Sequence, residues 1–238
     1  MNKPILSVLT AAFLCTGSAF AETVISQLPI TINAPGKFVL GENLTYTSSS
    51  GNAIQINSSD VTLDLGGNTL FSASSSPTAI YVSGVDNVTI QNGIISGFGC
   101  AVFFDYYQNT ANDANNIVQG LKILNPAVAG VWLFGGGITT LIQNNQLNGT
   151  GASGTAGIDV ANGGVNAPAP GCVVTRNNIS RFTTGILSHG GNYFFENTIS
   201  DCATAIQTAS TDKYRFNTTS NCTNEYPGGG TDVTSTNN

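Results

Sequence analysis

A short strand motif recurs along this chain, and it limits the available folds more than any other feature. A small residue is followed by an apolar-x-apolar triplet. The copies are Ala53-Ile54-Gln55-Ile56, Ala79-Ile80-Tyr81-Val82, Ala101-Val102-Phe103-Phe104, Gly130-Val131-Trp132-Leu133, Gly157-Ile158-Asp159-Val160, Gly185-Ile186-Leu187-Ser188 and Ala205-Ile206-Gln207-Thr208. From Ile54 to Ile206 the steps are 26, 22, 29, 27, 28 and 20 residues. A second short strand follows in most units, most clearly at 61–65, 88–90 and 193–195. Alternation of apolar and polar residues marks strands. Repeats of this length mark a stacked architecture, because one unit alone cannot bury its apolar face. Stacking at about 4.8 Å lets each strand pair with its copies above and below. The prediction is a parallel β-solenoid. With a first coil at 24–50 it has about eight coils, roughly 38 Å of stack at that spacing.

Composition agrees. Only 8% of the 238 residues are charged, against about 25% in ordinary soluble domains. There are 27 Asn and 28 Gly, which suits many turns and not the Lys- and Glu-covered surface of helices. A formal charge of −6 and a pI near 4.4 argue against nucleic acid and against anionic lipid as partners.

The start of the chain reads as an export signal. Lys3 supplies the positive end, residues 5–15 are apolar, and Ser18-Ala19-Phe20-Ala21 offers cleavage after Ala21. The run is too short to span a bilayer, and no other run reaches that length. The expected division is a signal peptide at 1–21, a β-helix domain at 22–224 and a polar tail at 225–238, either disordered or a loose cover for the last coil. The expected location is secreted, periplasmic or at the cell surface. The mature chain would have 238 − 21 = 217 residues and, without Lys3, a formal charge of −7.

The stretch VTLDLGGNTL from Val61, VTIQNGIISGF from Val88 and the lead-in APGKFVLGENLTYT from Ala34 resemble the right-handed parallel β-helix repeat family, with its pectate-lyase-like members. The resemblance covers about residues 28–224. It implies an all-β chain wound into a single-stranded right-handed parallel β-helix with three faces. Members of that family include pectate-lyase-like enzymes, sugar hydrolases, epimerases and adhesins. Fold alone therefore assigns no activity.

An Asn recurs after the second strand: Asn92, Asn125, Asn144, Asn177, Asn197 and Asn217, with Asn145 an equal choice for Asn144. These are expected to form a structural ladder, since Asn tolerates left-handed backbone and can bond to its neighbours above and below. Cys202 and Cys222 each lie five residues after a ladder Asn, which places them on adjacent coils. Either a disulfide worth about 3 kcal/mol or two inert stacked thiols fits that spacing. Cys100 and Cys172 lie about three coils apart, too far for an unstrained bond.

Outward positions of the repeated strand give two columns. One reads Gln55, Tyr81, Phe103, Trp132, Asp159, Leu187, Gln207, and the next Asn57, Ser83, Asp105, Phe134, Ala161, His189, Ala209. Tyr81, Phe103, Trp132 and Phe134 thus share one outer face, and Tyr106 follows Asp105. Extended turns at 105–116 and 161–171 flank them, where loops on a rigid scaffold could wall a groove. Three readings fit: a carbohydrate groove using Tyr81, Phe103, Asp105, Tyr106, Trp132 and Phe134; a cluster covered by its own loops; or a subunit interface, for example of a homotrimer.

Catalysis is weakly marked. Asp159 and His189, the sole His, could do acid–base work if they converged. The polygalacturonase-like members share only His189-Gly190 with this chain, and their paired aspartates and Arg-x-Lys element are absent. Pectate-lyase-like members need an acidic calcium cluster with a basic residue. Asp60, Asp64 and Asp86 are near each other in sequence, but the arginines at 176, 181 and 215 come much later. Calcium is unsupported, and one His offers little to copper, so no metal and no cofactor is expected. The leading expectation is polysaccharide recognition, with a lyase or glycoside hydrolase and an adhesive surface protein as alternatives.

Overall fold

A computed structural model describes residues 21–106, 115–135, 139–160 and 171–233. Residues 1–20 of the proposed signal, most of both extended turns, residues 136–138 and the last five residues lie outside the described residues. The described chain is all strand and turn, wound into two parallel sheets. One sheet holds eight strands: Ile30–Ile32, Asn52–Ile56, Thr78–Ser83, Cys100–Asp105, Ala129–Phe134, Ala156–Val160, Thr184–Ser188 and Thr204–Gln207. They are the recurring motif and an earlier strand, and they stack in sequence order. A sixteen-stranded sheet forms the rest of each turn of the coil. We call these the narrow and the broad sheet. No helix among the described residues is long and apolar enough to cross a membrane.

Register follows the repeat. Ile54 sits beside Ile80, Ile80 beside Val102, Val102 beside Val131, Val131 beside Ile158, Ile158 beside Ile186 and Ile186 beside Ile206. All seven are fully buried and belong to one core running from Ile25 to Ile206. The small residue before each has a packing reason. A Cβ added to Gly130 would lie 2.5 Å from the Gly157 carbonyl oxygen, and one added to Gly157 would lie 2.6 Å from that of Gly185.

The broad sheet bends sharply in each coil. Asn92, Gly120, Asn144, Arg176, Glu196 and Phe216 occupy the bend with φ between 54° and 64°. Asn and Gly accept that left-handed geometry readily; Arg, Glu and Phe do so at a cost. The residue after the bend points inward, and there the Asn ladder forms. Asn145, Asn177, Asn197 and Asn217 bond in series, each backbone N–H donating 3.0 Å to the next side-chain oxygen. Each Nδ2 donates in the same direction and also reaches a carbonyl of the preceding coil. Of the two choices at that coil, Asn145 is the rung and Asn144 the bend.

Asn92 and Asn125 correct the expected ladder. Asn92 is an exposed bend residue whose Nδ2 donates to Asp64, and Asn125 is exposed with φ 53°. The ladder column in their coils holds Gly93 and Leu121 instead.

The polar C-terminal segment is also built onto the stack. Tyr226 stacks on Tyr214 at 4.5 Å between centroids. Gly228 bridges to Thr208, and Thr231–Asp232 pairs with Lys213 and Tyr214. Of the two expectations for the tail, residues 225–233 follow the second: they lie on the last coil and extend it.

Candidate functional site

The narrow sheet brings the aromatic column together. Tyr81, Phe103 and Trp132 are direct neighbours on successive coils, and Asp105 pairs with Phe134 in the adjacent column. All five are partly exposed. Phe103 and Trp132 stack at 4.7 Å with 19° between planes. Tyr81 meets Phe103 edge-on at 5.4 Å, and Phe134 meets Trp132 edge-on at 5.7 Å. Such contacts are worth about 0.5–1.5 kcal/mol each beyond their burial.

The stacking has a consequence for ligand binding. The ring faces of Phe103 and Trp132 that look at each other are occupied. The next positions up the column are Asp159 and then Leu187. Asp159 is short, so a gap of two coil spacings, about 9–10 Å, opens between Trp132 and Leu187. A cavity of about 230 Å³ lies there, lined by Trp132, Asp159 and Leu187 with Val128, Thr155 and Thr183. The site is therefore a slot bounded by Trp132, not a flat aromatic wall.

The Tyr81 hydroxyl donates to Asp105. Burial, then the bond to Asp105 and its charge, push the Tyr81 phenol up to about 12. Tyr81 keeps its proton and fixes the orientation of that carboxylate.

Tyr106 is a correction. It was expected on the outer face, but it is only 1% exposed. Its hydroxyl donates to the Val85 carbonyl and accepts from Asn116 Nδ2 at 2.7 Å. Parity explains this: Phe104 faces in, Asp105 out and Tyr106 in again. Tyr106 belongs to the core and not to the outer face.

Of the two catalytic candidates, Asp159 lines the slot and His189 does not. His189 is exposed, one residue beyond the strand Thr184–Ser188. Cys202 and Cys222 occupy equivalent positions on successive coils, each two residues after the paired Ser200 and Ser220. Both are free thiols, whose sulfurs donate to the Ser200 and Ser220 carbonyls at 3.3 and 3.4 Å. Burial pushes the Cys202 thiol up to about 11.

Among the described residues no three of His, Cys, Asp and Glu gather as a metal would require. Two aspartates of the sequence cluster, Asp60 and Asp64, are engaged within the protein, Asp64 more fully. Its carboxylate accepts from Gly66 N, Gln91 and Asn92. Burial would raise its pKa, but these three bonds together hold it below the usual carboxylate value. Asp60 accepts from Asn87 at 2.6 Å.

Sequence reasoning missed three features. One is the slot itself, visible in the sequence only as a short Asp159 between large Trp132 and Leu187. Another is a second buried polar column, in which Asn116, Asn192 and Asp212 accept from Val88 N, Cys172 N and Asn192 N. The third is a separation of charge. Lys37, Lys122, Arg176, Lys213 and Arg215 all lie on the broad sheet or its bend, and the narrow sheet carries no cation among the described residues.

Comparison with known proteins adds the following. A family model described as a right handed beta helix region matches residues 30–178. No curated protein matches. Among solved structures, the chain is similar to the crystal structure of an alginate lyase from Paenibacillus sp. str. FPU-7. The identity is 15% and the TM-score 0.40, over 83% of this chain and 93% of that one.

Proposed function

This chain belongs to the right-handed β-helix family, and we propose that it uses that scaffold to bind a polysaccharide on the narrow sheet. The observation that carries the reading is the slot between Trp132 and Leu187. A sugar ring presents an apolar face to an aromatic ring and hydroxyls to acceptors. Here the aromatic face is Trp132 with Asp159 beside it, while the Thr155 and Thr183 hydroxyls both donate to the Ala152 carbonyl and shape the floor. A few polar groups in a largely apolar cleft are usual for small-molecule sites. Asp105 and Asp159, with no cation on that sheet among the described residues, favour a neutral sugar over an acidic one. Export, read from residues 1–21, fits an extracellular or periplasmic polymer.

The reading is one of binding without cleavage, because one carboxylate in the slot without His189 is not an acid–base pair. Calorimetric titration with neutral cello-, xylo- and manno-oligosaccharides tests it. One class should bind, and Trp132→Ala should abolish binding while the protein, though less stable, still unfolds in one cooperative transition. Binding that survives Trp132→Ala contradicts the reading. So does a Trp132→Ala protein that loses a subunit interaction and binds no sugar before or after the change. Release of unsaturated or reducing-end products would replace binding with catalysis.

A further inference from the structure

The slot runs across the stack and not along it. Its floor is a single coil from Thr155 to Asp159, about 13 Å at the usual strand rise. Thr155 and Ala156 are buried on that floor, and Asp159 is short. The coil below raises Val128 and Trp132 along one side, and the coil above raises Leu187 on the other. Register fixes these rows. Ala129 pairs with Ala156 and Ala156 with Thr184, while Trp132 pairs with Asp159 and Asp159 with Leu187. Val128 is 47% exposed, one of four large apolar side chains left so open among the described residues. Along the axis the trough is closed. Phe103 stacks beneath Trp132, and Leu187 stands between Asp159 and the exposed Gln207.

We propose, given that the slot binds sugar, that it selects by stereochemistry: sugar rings lie crosswise between Trp132 and Leu187, and rings with every hydroxyl equatorial are taken over rings with an axial hydroxyl. Trp132 lies within 19° of parallel to Phe103 one coil below, so its open face looks up the stack at Leu187. The two walls are two coil spacings apart, about 9–10 Å. One ring touching both walls uses two carbon contacts of about 3.5–4.0 Å each, whereas two stacked rings need three such contacts and more than about 10 Å. One layer of rings therefore fills the gap. Both walls are apolar. A pyranose with only equatorial hydroxyls shows C–H bonds on both faces, so it suits both walls at once. Glucose and xylose in β-1,4 linkage form that class. Mannose differs from glucose by an axial hydroxyl at C2. Whichever face it turns to Trp132, it presses that hydroxyl against one apolar wall, where it loses water and finds no partner. With its clean face on Trp132, the axial hydroxyl meets Leu187. Leu187 is thus the residue that sets specificity.

The test titrates the full protein with three neutral β-1,4-linked tetrasaccharides, of glucose, xylose and mannose. The glucose and xylose oligomers should bind, and the mannose oligomer should bind about tenfold more weakly, the cost of one buried hydroxyl left unpaired. Leu187→Gln, on the partly exposed outer face, gives that hydroxyl a partner and should bring the mannose and glucose affinities close to equal. The ratio is read within one protein, so a loss of stability does not imitate it. Val128→Ser should weaken the glucose oligomer severalfold, and Gln207→Ala should leave it unchanged. Equal glucose and mannose affinities in the parent overturn the proposal, and so does a ratio that Leu187→Gln does not move. Weaker binding in Gln207→Ala overturns the crosswise placement. Binding that needs Trp132 but shows no preference removes only this selectivity, whereas no binding of any of the three removes the sugar-binding slot along with it.

Discussion

The hydroxyl of Tyr81 donates a 2.6 Å hydrogen bond to Oδ2 of Asp105, on the next coil and two residues further along. It ties the two outward columns of the narrow sheet together at the foot of the aromatic cluster. Burial and Asp105 raise the Tyr81 pKa to about 12, and burial with nearby acidic groups raises that of Tyr226 to about 12. An unfolded tyrosine titrates near pH 10. Both groups contribute fully below that value. Their contribution falls as pH rises from about 10 to about 12, because the unfolded chain releases its protons first. Denaturant midpoints measured across this window should decline. Tyr81→Phe should cost about 1–2 kcal/mol near neutral pH and make the decline shallower. An unchanged alkaline profile in Tyr81→Phe would remove Tyr81 from the account.

The Asn ladder predicts a sharp contrast between asparagines. Asn177 is 1% exposed and satisfies the Asn145 N–H and the Ile142 carbonyl. Asn177→Ala leaves both unpaired in the core, at about 1–3 kcal/mol each. Asn92 is exposed, and Asn92→Gly, which keeps the left-handed bend at φ 56°, should cost less than about 1 kcal/mol. Equilibrium unfolding of the two variants separates a ladder rung from a bend residue. Similar losses would contradict the assignment.

Those two residues also show what the sequence could and could not reveal. Apolar alternation placed the narrow-sheet strands and their register, because a one-residue slip would turn the core face outward. It did not place the ladder, because bend and rung are adjacent and both accept Asn. At Asn144-Asn145 the sequence offers each role to either residue. In the coils of Asn92 and Gly120 the bend takes the Asn or Gly and the rung is apolar or Gly. The same parity that placed the strands would have turned Tyr106 inward, had it been extended one residue past Asp105. The slot was harder to read, since it depends on which ring faces are already occupied by Phe103 and Trp132.

The glycines of the motif predict a packing penalty. Gly157→Ala would set a methyl 2.6 Å from both the Gly185 carbonyl oxygen and Cγ2 of Ile179. Backbone on one side and core on the other cannot both yield, so the loss should be about 1–3 kcal/mol. Gly151, which has nothing within 4 Å of an added Cβ, offers no such clash. A melting temperature unaffected by Gly157→Ala would contradict the close coil approach.

The cysteines predict an order of labelling. Cys100, Cys172 and Cys202 are buried and Cys222 is partly exposed. Burial raises the pKa of Cys172 to about 12 and that of Cys202 to about 11, so few thiolates are present at neutral pH. A thiol reagent should label Cys222 first and the others only on unfolding. A denatured total two thiols short of the number expected would show that Cys202 and Cys222 had joined.

The central claim is that Trp132 forms one wall of a sugar-binding slot. Trp132 is the single tryptophan of the chain, so its fluorescence reports on that wall alone. Emission should be recorded while neutral oligosaccharides are titrated, class by class. The account predicts that one class shifts the emission to the blue and saturates, as a sugar ring displaces water from the face opposite Phe103. Emission that is already blue-shifted and indifferent to every neutral sugar would mean that the slot is filled by the protein or a partner subunit, and would contradict the claim.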